Sequence, residues 1–107
     1  MKKPLPDCPD KKILQLIGDK WKILIIRDLL DGTKRFNELK KSLTGITQKV
    51  LTSKLRDMED SGLLTRKIYP EVPPKVEYSL TNLGSSLFPI LENLAAWGDE
   101  YKKAYSN

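Results

Sequence analysis

Histidine does not occur in the chain, and cysteine occurs once, at position 8. Without imidazole there is no Ser/His/Asp or Cys/His triad and no histidine metal ligand. A lone cysteine excludes an intramolecular disulfide and a multi-cysteine zinc site. No G-x-x-x-x-G-K-[ST] or G-x-G-x-x-G stretch is present to cradle a nucleotide. No apolar run approaches the ~20 residues that a membrane-spanning helix requires, and the N-terminus has no signal-peptide core. Internal repeats and low-complexity segments are missing as well. Together these absences argue against an enzyme, a bound metal or cofactor, and a membrane partner, and they make the cytoplasm the expected location.

What remains is an ordinary globular composition. The 107 residues are 39% hydrophobic and 31% charged, enough for one domain over residues 1–107 with an adequate core. Burying a further apolar face in a dimer would add to that core. Lys and Arg number 19 against 14 Asp and Glu, a net charge of +5, which suits a polyanionic partner.

The charges of the segment Thr47 to Ser61 run against a helix's own interest. Lys49, Lys54 and Arg56 come first, and Asp57, Glu59 and Asp60 come last. The helix macrodipole favours the opposite order, by ~0.3–1 kcal/mol per charge. An external anion at the N-terminal end explains the reversal, since free N–H groups already attract phosphate there. Gln48, Thr52 and Ser53 add hydrogen-bonding side chains to the same end. A solvated surface helix with unsystematic charges is the alternative.

The neighbouring segments give this helix a setting. Lys2 to Pro6 is a basic, proline-bearing arm. Pro9 suits the first position of a helix, which places Cys8 at its N-cap and Ile13, Leu14, Leu16 and Ile17 on its apolar face. Gly18 and Asp19 interrupt it. Trp21 to Leu30 is apolar on most sides and should lie centrally, ending at Asp31-Gly32. Thr33 to Arg35 fits a small strand, and Phe36 to Ser42 a third helix with Phe36, Leu39 and Leu43 on one face. Thr44-Gly45-Ile46 is a tight turn in which glycine takes a positive φ easily. Thr47 is then the N-cap of the fourth helix. Its buried stripe is Leu51, Leu55 and Met58 at i, i+4, i+7, with Gln48, Lys49, Thr52, Ser53 and Arg56 opposite. A helix, a short glycine turn and a helix with an exposed polar face form a helix-turn-helix.

Leu64 to Tyr69 and Val76 to Leu80 alternate as strands with one face in the core. Three prolines between them favour a stiff projecting loop, so the pair reads as a wing. Thr81 caps a last segment in which Leu83, Leu87, Leu91, Leu94, Trp97 and Tyr101 recur at helical intervals. Pro89 must kink or interrupt this helix, and a long kinked helix is expected. The fold class is therefore mainly α with a small antiparallel β-wing, a winged helix-turn-helix. The terminal apolar stripe, which also holds Phe88 and Ile90, exceeds what one small domain covers. It either packs on Ile13 to Ile17 of its own chain or pairs with a symmetry mate. The dimer is the favoured reading, with Ile13, Ile17, Leu87, Ile90, Leu91, Leu94, Trp97 and Tyr101 as its interface. Trp21 and Trp97 read as core or interface residues rather than ligand-stacking ones.

Several strings occur together: Ile17-Gly18-Asp19-Lys20-Trp21-Lys22, Arg35-Phe36-Asn37-Glu38-Leu39, Gly45-Ile46-Thr47-Gln48-Lys49-Val50-Leu51, Val72-Pro73-Pro74-Lys75-Val76-Glu77-Tyr78, Leu80-Thr81-x-x-Gly84 and Trp97-Gly98. With Cys8 they resemble the HxlR-type bacterial transcription regulators, relatives of the MarR group, from Cys8 to Gly98. The resemblance implies a homodimeric winged helix-turn-helix protein that binds double-stranded DNA and usually regulates a neighbouring gene, most commonly as a repressor. It implies no enzyme activity. Thr47 to Arg56 would match the recognition helix, with Thr47, Gln48, Lys49, Thr52, Ser53 and Arg56 toward the major groove. Arg66 to Lys75 would match the wing, with Arg66, Lys67 and Lys75 on the flanking backbone or minor groove, and the terminal segments would supply dimer contacts.

The family's N-terminal cysteine matches Cys8. In some members it responds to oxidants, quinones or aldehydes, and several of those use a second cysteine that this chain lacks. An adduct, a mixed disulfide or a bond from Cys8 to its symmetry mate remains open. A helix N-terminus beside Lys11 and Lys12 would favour its thiolate, with Asp7 and Asp10 opposing. The alternative is a small residue tolerated at a helix start. Two further alternatives stand for the whole chain: a regulator answering an aromatic small-molecule effector, and a winged-helix module that binds protein instead of DNA. Arg66 and Lys67 could equally be solvated strand residues, and Arg35 could pair with an acid.

Overall fold

The computed structural model describes residues 4, 5 and 7–106. The expected N-terminal arm lies outside them except for Pro4 and Leu5. The first helix, α1 (Lys11–Ile17), starts two residues later than the sequence predicts, because Asp10 takes the cap and its carboxylate accepts the Lys12 N–H at 2.7 Å. Aspartate offers the orphan N–H groups of a first turn an oxygen acceptor, so Pro9 stays outside the helix. Cys8 precedes the cap and does not occupy it.

Asp19 repeats the device for α2 (Lys20–Leu30), accepting the Lys22 N–H at 3.1 Å. Ile25, Ile26 and Leu29 put this helix at the centre of the core. A short strand, β1 (Lys34–Arg35), leads into α3 (Phe36–Ser42), which buries Leu39. Gly45 turns the chain at φ 90°, a value L-residues with a Cβ rarely take. Thr47 then caps α4 (Gln48–Asp60), its hydroxyl accepting the Val50 N–H at 3.1 Å. Leu51, Leu55 and Met58 are buried beneath α4 as the i, i+4, i+7 spacing predicts.

Strands β2 (Leu64–Tyr69) and β3 (Lys75–Leu80) form an antiparallel ribbon running from Leu64↔Leu80 to Tyr69↔Lys75. β1 adds on the other side of β3, for the order β1-β3-β2. Alternation holds less well than expected on β2: Leu64 is buried, but Ile68 is 57% exposed. Only the root of the ribbon lies against the helices, so burial follows distance from the root as well as strand parity.

The C-terminal segment departs from a single kinked helix. A one-turn helix, α5 (Asn82–Ser85), capped by Thr81, stops, and α6 (Phe88–Tyr105) begins with Pro89 in its first turn. Proline lacks the N–H an interior position needs but is at home in a first turn, so it divides the segment in two. Leu87 and Leu91 pack against the edge of the core. Farther along α6, Leu94 is 47% and Trp97 64% exposed. With α6 about 27 Å long, the described residues span 64 × 34 × 22 Å. The radius of gyration is 16.5 Å, against about 13 Å for a compact chain of this length. The fold is a winged helix-turn-helix with one long helix reaching out from it.

Candidate nucleic-acid interface

Helix α4 presents one continuous shallow face lined by Gln48, Lys49, Thr52, Ser53 and Arg56, and beyond them Asp57 and Asp60. All of these except the half-buried Thr52 are exposed. The buried stripe turns this set outward: Leu51, Leu55 and Met58 claim the inner side. Thr47 sits at the same end, but its oxygen is engaged as the cap.

The other charges of α4 are engaged within the chain. Lys54 points toward α2, its Nζ 2.6 Å from Asp19 Oδ2. Burial pushes the Asp19 carboxyl up, but the Lys54 hydrogen bond, the Lys22 N–H and the two lysine charges outweigh it, and the group lies below its ordinary value. Asp57 faces Lys22 at 3.7 Å, and Glu59 faces Arg66 at 3.5 Å. The reversed charge order along α4 is thus partly answered by neighbouring elements. Among the described residues, Lys49 and Arg56 are the cations of α4 without an ion pair, and both lie on the outer face.

The wing cations are arranged around Tyr69. Lys67 Nζ and Lys75 Nζ lie 4.9 and 4.8 Å from its ring centroid, within cation–π range. Lys75 also pairs with Glu77 at 3.6 Å. The Glu77 carboxyl is held below its usual range, first by the Tyr69 hydroxyl, which together with Lys75 and Arg35 outweighs the opposing effect of desolvation. Arg35 stands directly across the sheet from Glu77, so its charge faces an acid. The exposed tip, Glu71 to Pro74, and Arg35, Phe36 and Asn37 flank one groove. Arg66 is set apart from these, at the root of the ribbon against α4.

Sequence reasoning did not find the partners Asp19, Lys22 and Glu59, nor the place of Tyr69 between two lysines. Asp19 to Lys54 spans 35 residues, and no local pattern signals such a pair. Lys40 and Lys41 of α3 form an exposed patch with Asn37.

Cys8 is exposed and Sγ lies 3.6 Å from the Pro9 carbonyl oxygen. Because Asp10 is the cap, the helix-terminus argument for an activated thiol does not apply to it. The residues expected at a dimer interface divide: Leu87 and Leu91 are partly covered by the chain's own core and Ile17 is half-buried. Ile13, Ile90, Leu94, Trp97 and Tyr101 are between 47% and 64% exposed. Trp97 stacks on Tyr101 with centroids 5.3 Å apart, and Tyr101 meets Tyr105 at 4.9 Å. No described helix is long and apolar enough to cross a membrane, and the described residues contain no acidic or cysteine cluster fit for a metal.

Comparison with known proteins gives a consistent result. The profile of the HxlR-like helix-turn-helix family matches residues 16–106. The HTH-type transcriptional regulator YkvN of Bacillus subtilis is 54% identical over 94 residues, which are 88% of this chain and 80% of that one. A solved structure of the HTH-type transcriptional regulator ytcD superposes with a TM-score of 0.82 at 46% identity, covering 87% of this chain and 95% of that one. The redox regulator HypR in its oxidized form superposes with a TM-score of 0.78 at 45% identity, covering 87% and 96%.

Proposed function

Because the chain belongs to the HxlR-like helix-turn-helix family and is a transcriptional regulator with a helix-turn-helix DNA-binding domain, we propose that it acts as a homodimeric repressor on an inverted-repeat operator and not as an enzyme. The observation that carries this is the outer face of α4, where Lys49 and Arg56 stand exposed without an ion pair among the described residues. A major groove ~12 Å wide admits such a helix, with Gln48, Thr52 and Ser53 toward base edges and Lys49 and Arg56 toward phosphate. Lys67 and Lys75 on the wing would meet the flanking backbone. Two copies joined through α1 and α6 would set the reading helices ~34–36 Å apart, one helical turn of DNA. The exposed stripe Ile90, Leu94, Trp97 and Tyr101 supports that pairing.

The test is a gel shift with DNA from upstream of the gene, at two salt concentrations. Retardation that weakens steeply with salt is expected, because each phosphate contact releases counterions. Failure to bind any duplex at low salt would leave the protein-binding module as the better reading.

A redox response through Cys8 is the second component of the proposal, favoured by the exposure of the thiol and by the likeness to HypR. Two thiols, Cys8 of each copy or Cys8 and a small thiol, would give up two electrons to an oxidant such as diamide and join as a disulfide. Operator binding before and after diamide, in the wild type and in Cys8→Ser, decides it. Identical behaviour of the two proteins sinks the sensing role.

A further inference from the structure

The junction between α4 and the wing holds a charge arrangement that the reading above does not use. Glu59, in the last turn of α4, approaches Arg66 of β2 through the inner guanidinium nitrogen, Nε, at 3.5 Å. Thr52, Leu55, Arg56, Glu59, Arg66 and Tyr78 line one small cleft there. Tyr78 lies directly across the ribbon from Arg66. Its phenol is pushed up by burial, and the shared lining of the cleft brings Arg66, Glu59 and Arg56 to one spot beside it.

We propose that Glu59 is a positioning residue for DNA binding. It holds Arg66 by Nε, so that the outer edge of this guanidinium stands beside Arg56 and the two arginines take one backbone phosphate together. The proposal rests on the DNA-binding reading and reassigns Arg66 from the wing's flanking contacts to the recognition helix's own phosphate. Arginine has five N–H donors in a rigid fork, and engaging the inner one leaves four for an anion. Arg56, Arg66 and Glu59 together carry one net positive charge, the complement of one phosphodiester. A long side chain on an exposed strand otherwise loses rotamer freedom on binding, and an ion pair formed beforehand lowers that loss.

The sign of one substitution separates this from ordinary electrostatics. Removing an acid near DNA should strengthen binding; removing a positioning acid should weaken it. Anisotropy titrations of the full chain with an upstream duplex test this. Glu59→Ala is expected to weaken binding about three- to tenfold, the coupling typical of a contacting pair. Glu59→Gln, which keeps the accepting oxygen, should stay within about twofold. Arg66→Ala should match Glu59→Ala, and the double variant should lose nothing more. Arg66→Lys, which has no Nε to be held, should lose as much as Arg66→Ala, and it decides the matter if Glu59→Ala does not fold. Affinity equal to or above wild type in Glu59→Ala, an equal Glu59→Ala loss in the Arg66→Ala background, or full affinity in Arg66→Lys would each overturn the proposal. If the wild type binds no duplex, the DNA reading itself fails; if it binds without regard to Glu59, only this inference does.

Discussion

Replacing Gly84 by alanine should unfold the protein at a markedly lower temperature. Gly84 is buried in α5, and a Cβ built on it would lie 2.1 Å from the Leu63 carbonyl oxygen. Carbon–oxygen contacts of this kind sit near 3.3–3.6 Å, so α5 and the start of β2 must part by about 1 Å. That movement strains the bonds tying the two together, Thr81 N–H to Leu63 O at 3.1 Å and the Thr81 hydroxyl to Gly62 O at 2.6 Å, and through the same hydroxyl the cap of α5, which accepts the Gly84 N–H at 3.1 Å. Overpacking costs ~1–3 kcal/mol, and each weakened hydrogen bond ~0.5–1.5 kcal/mol. Alanine recovers ~1 kcal/mol of helix propensity. A net loss of ~2–4 kcal/mol corresponds to a melting temperature lower by about 10–25 °C. Thermal unfolding by circular dichroism, at one protein concentration because a dimer's Tm depends on it, measures this. The exposed neighbour Ser85→Ala should change stability by less than ~0.5 kcal/mol. A Gly84→Ala protein melting within about 2 °C of wild type would refute the steric argument.

Three further outcomes are expected. Asp19 has its folded-state carboxyl below the ordinary 3.8, so its stabilising contribution is complete above that value and is lost as pH falls through the folded-state one. Asp19→Asn keeps a good capping side chain and should flatten this acid limb in urea midpoints measured from neutral pH downward; an unchanged limb counts against the Asp19–Lys54 pair. Gln48→Ala should cost ~1–3 kcal/mol of DNA affinity and relax sequence preference, whereas Lys75→Ala should weaken all sequences alike and lower the salt slope by about one. Equal effects of both on every sequence would refute that division. Leu94→Glu with Trp97→Glu should convert a dimer to a folded monomer in sedimentation, since neither side chain packs on the protein's own core; a persistent dimer would place the interface elsewhere.

Much of the architecture was written in local pattern. The third helix falls at Phe36–Ser42, the fourth is capped at Thr47, and its inner stripe is Leu51, Leu55 and Met58. Each depends on groups within a few residues of one another: a hydroxyl and the N–H three positions on, a 3.6-residue period, a glycine in a turn. The proline-rich break between two alternating runs marks the wing for the same reason. Local competition was harder to judge. Asp10 displaced Cys8 from the cap, and Pro89 opened a new helix where a kink was expected.

Which charges of α4 are paired was settled only when distant segments met. Lys54, Arg56 and Lys49 are equivalent as letters, yet Lys54 is spent on Asp19 while the other two face outward. Glu59 and Arg66 become partners because the ribbon's root crosses the end of α4. Ile68 is exposed because the ribbon outruns the helices beneath it. Ion pairs act through space and have no period along the chain, so side-chain spacing determined which face of α4 is outward and tertiary packing alone decided which of its charges remain available there.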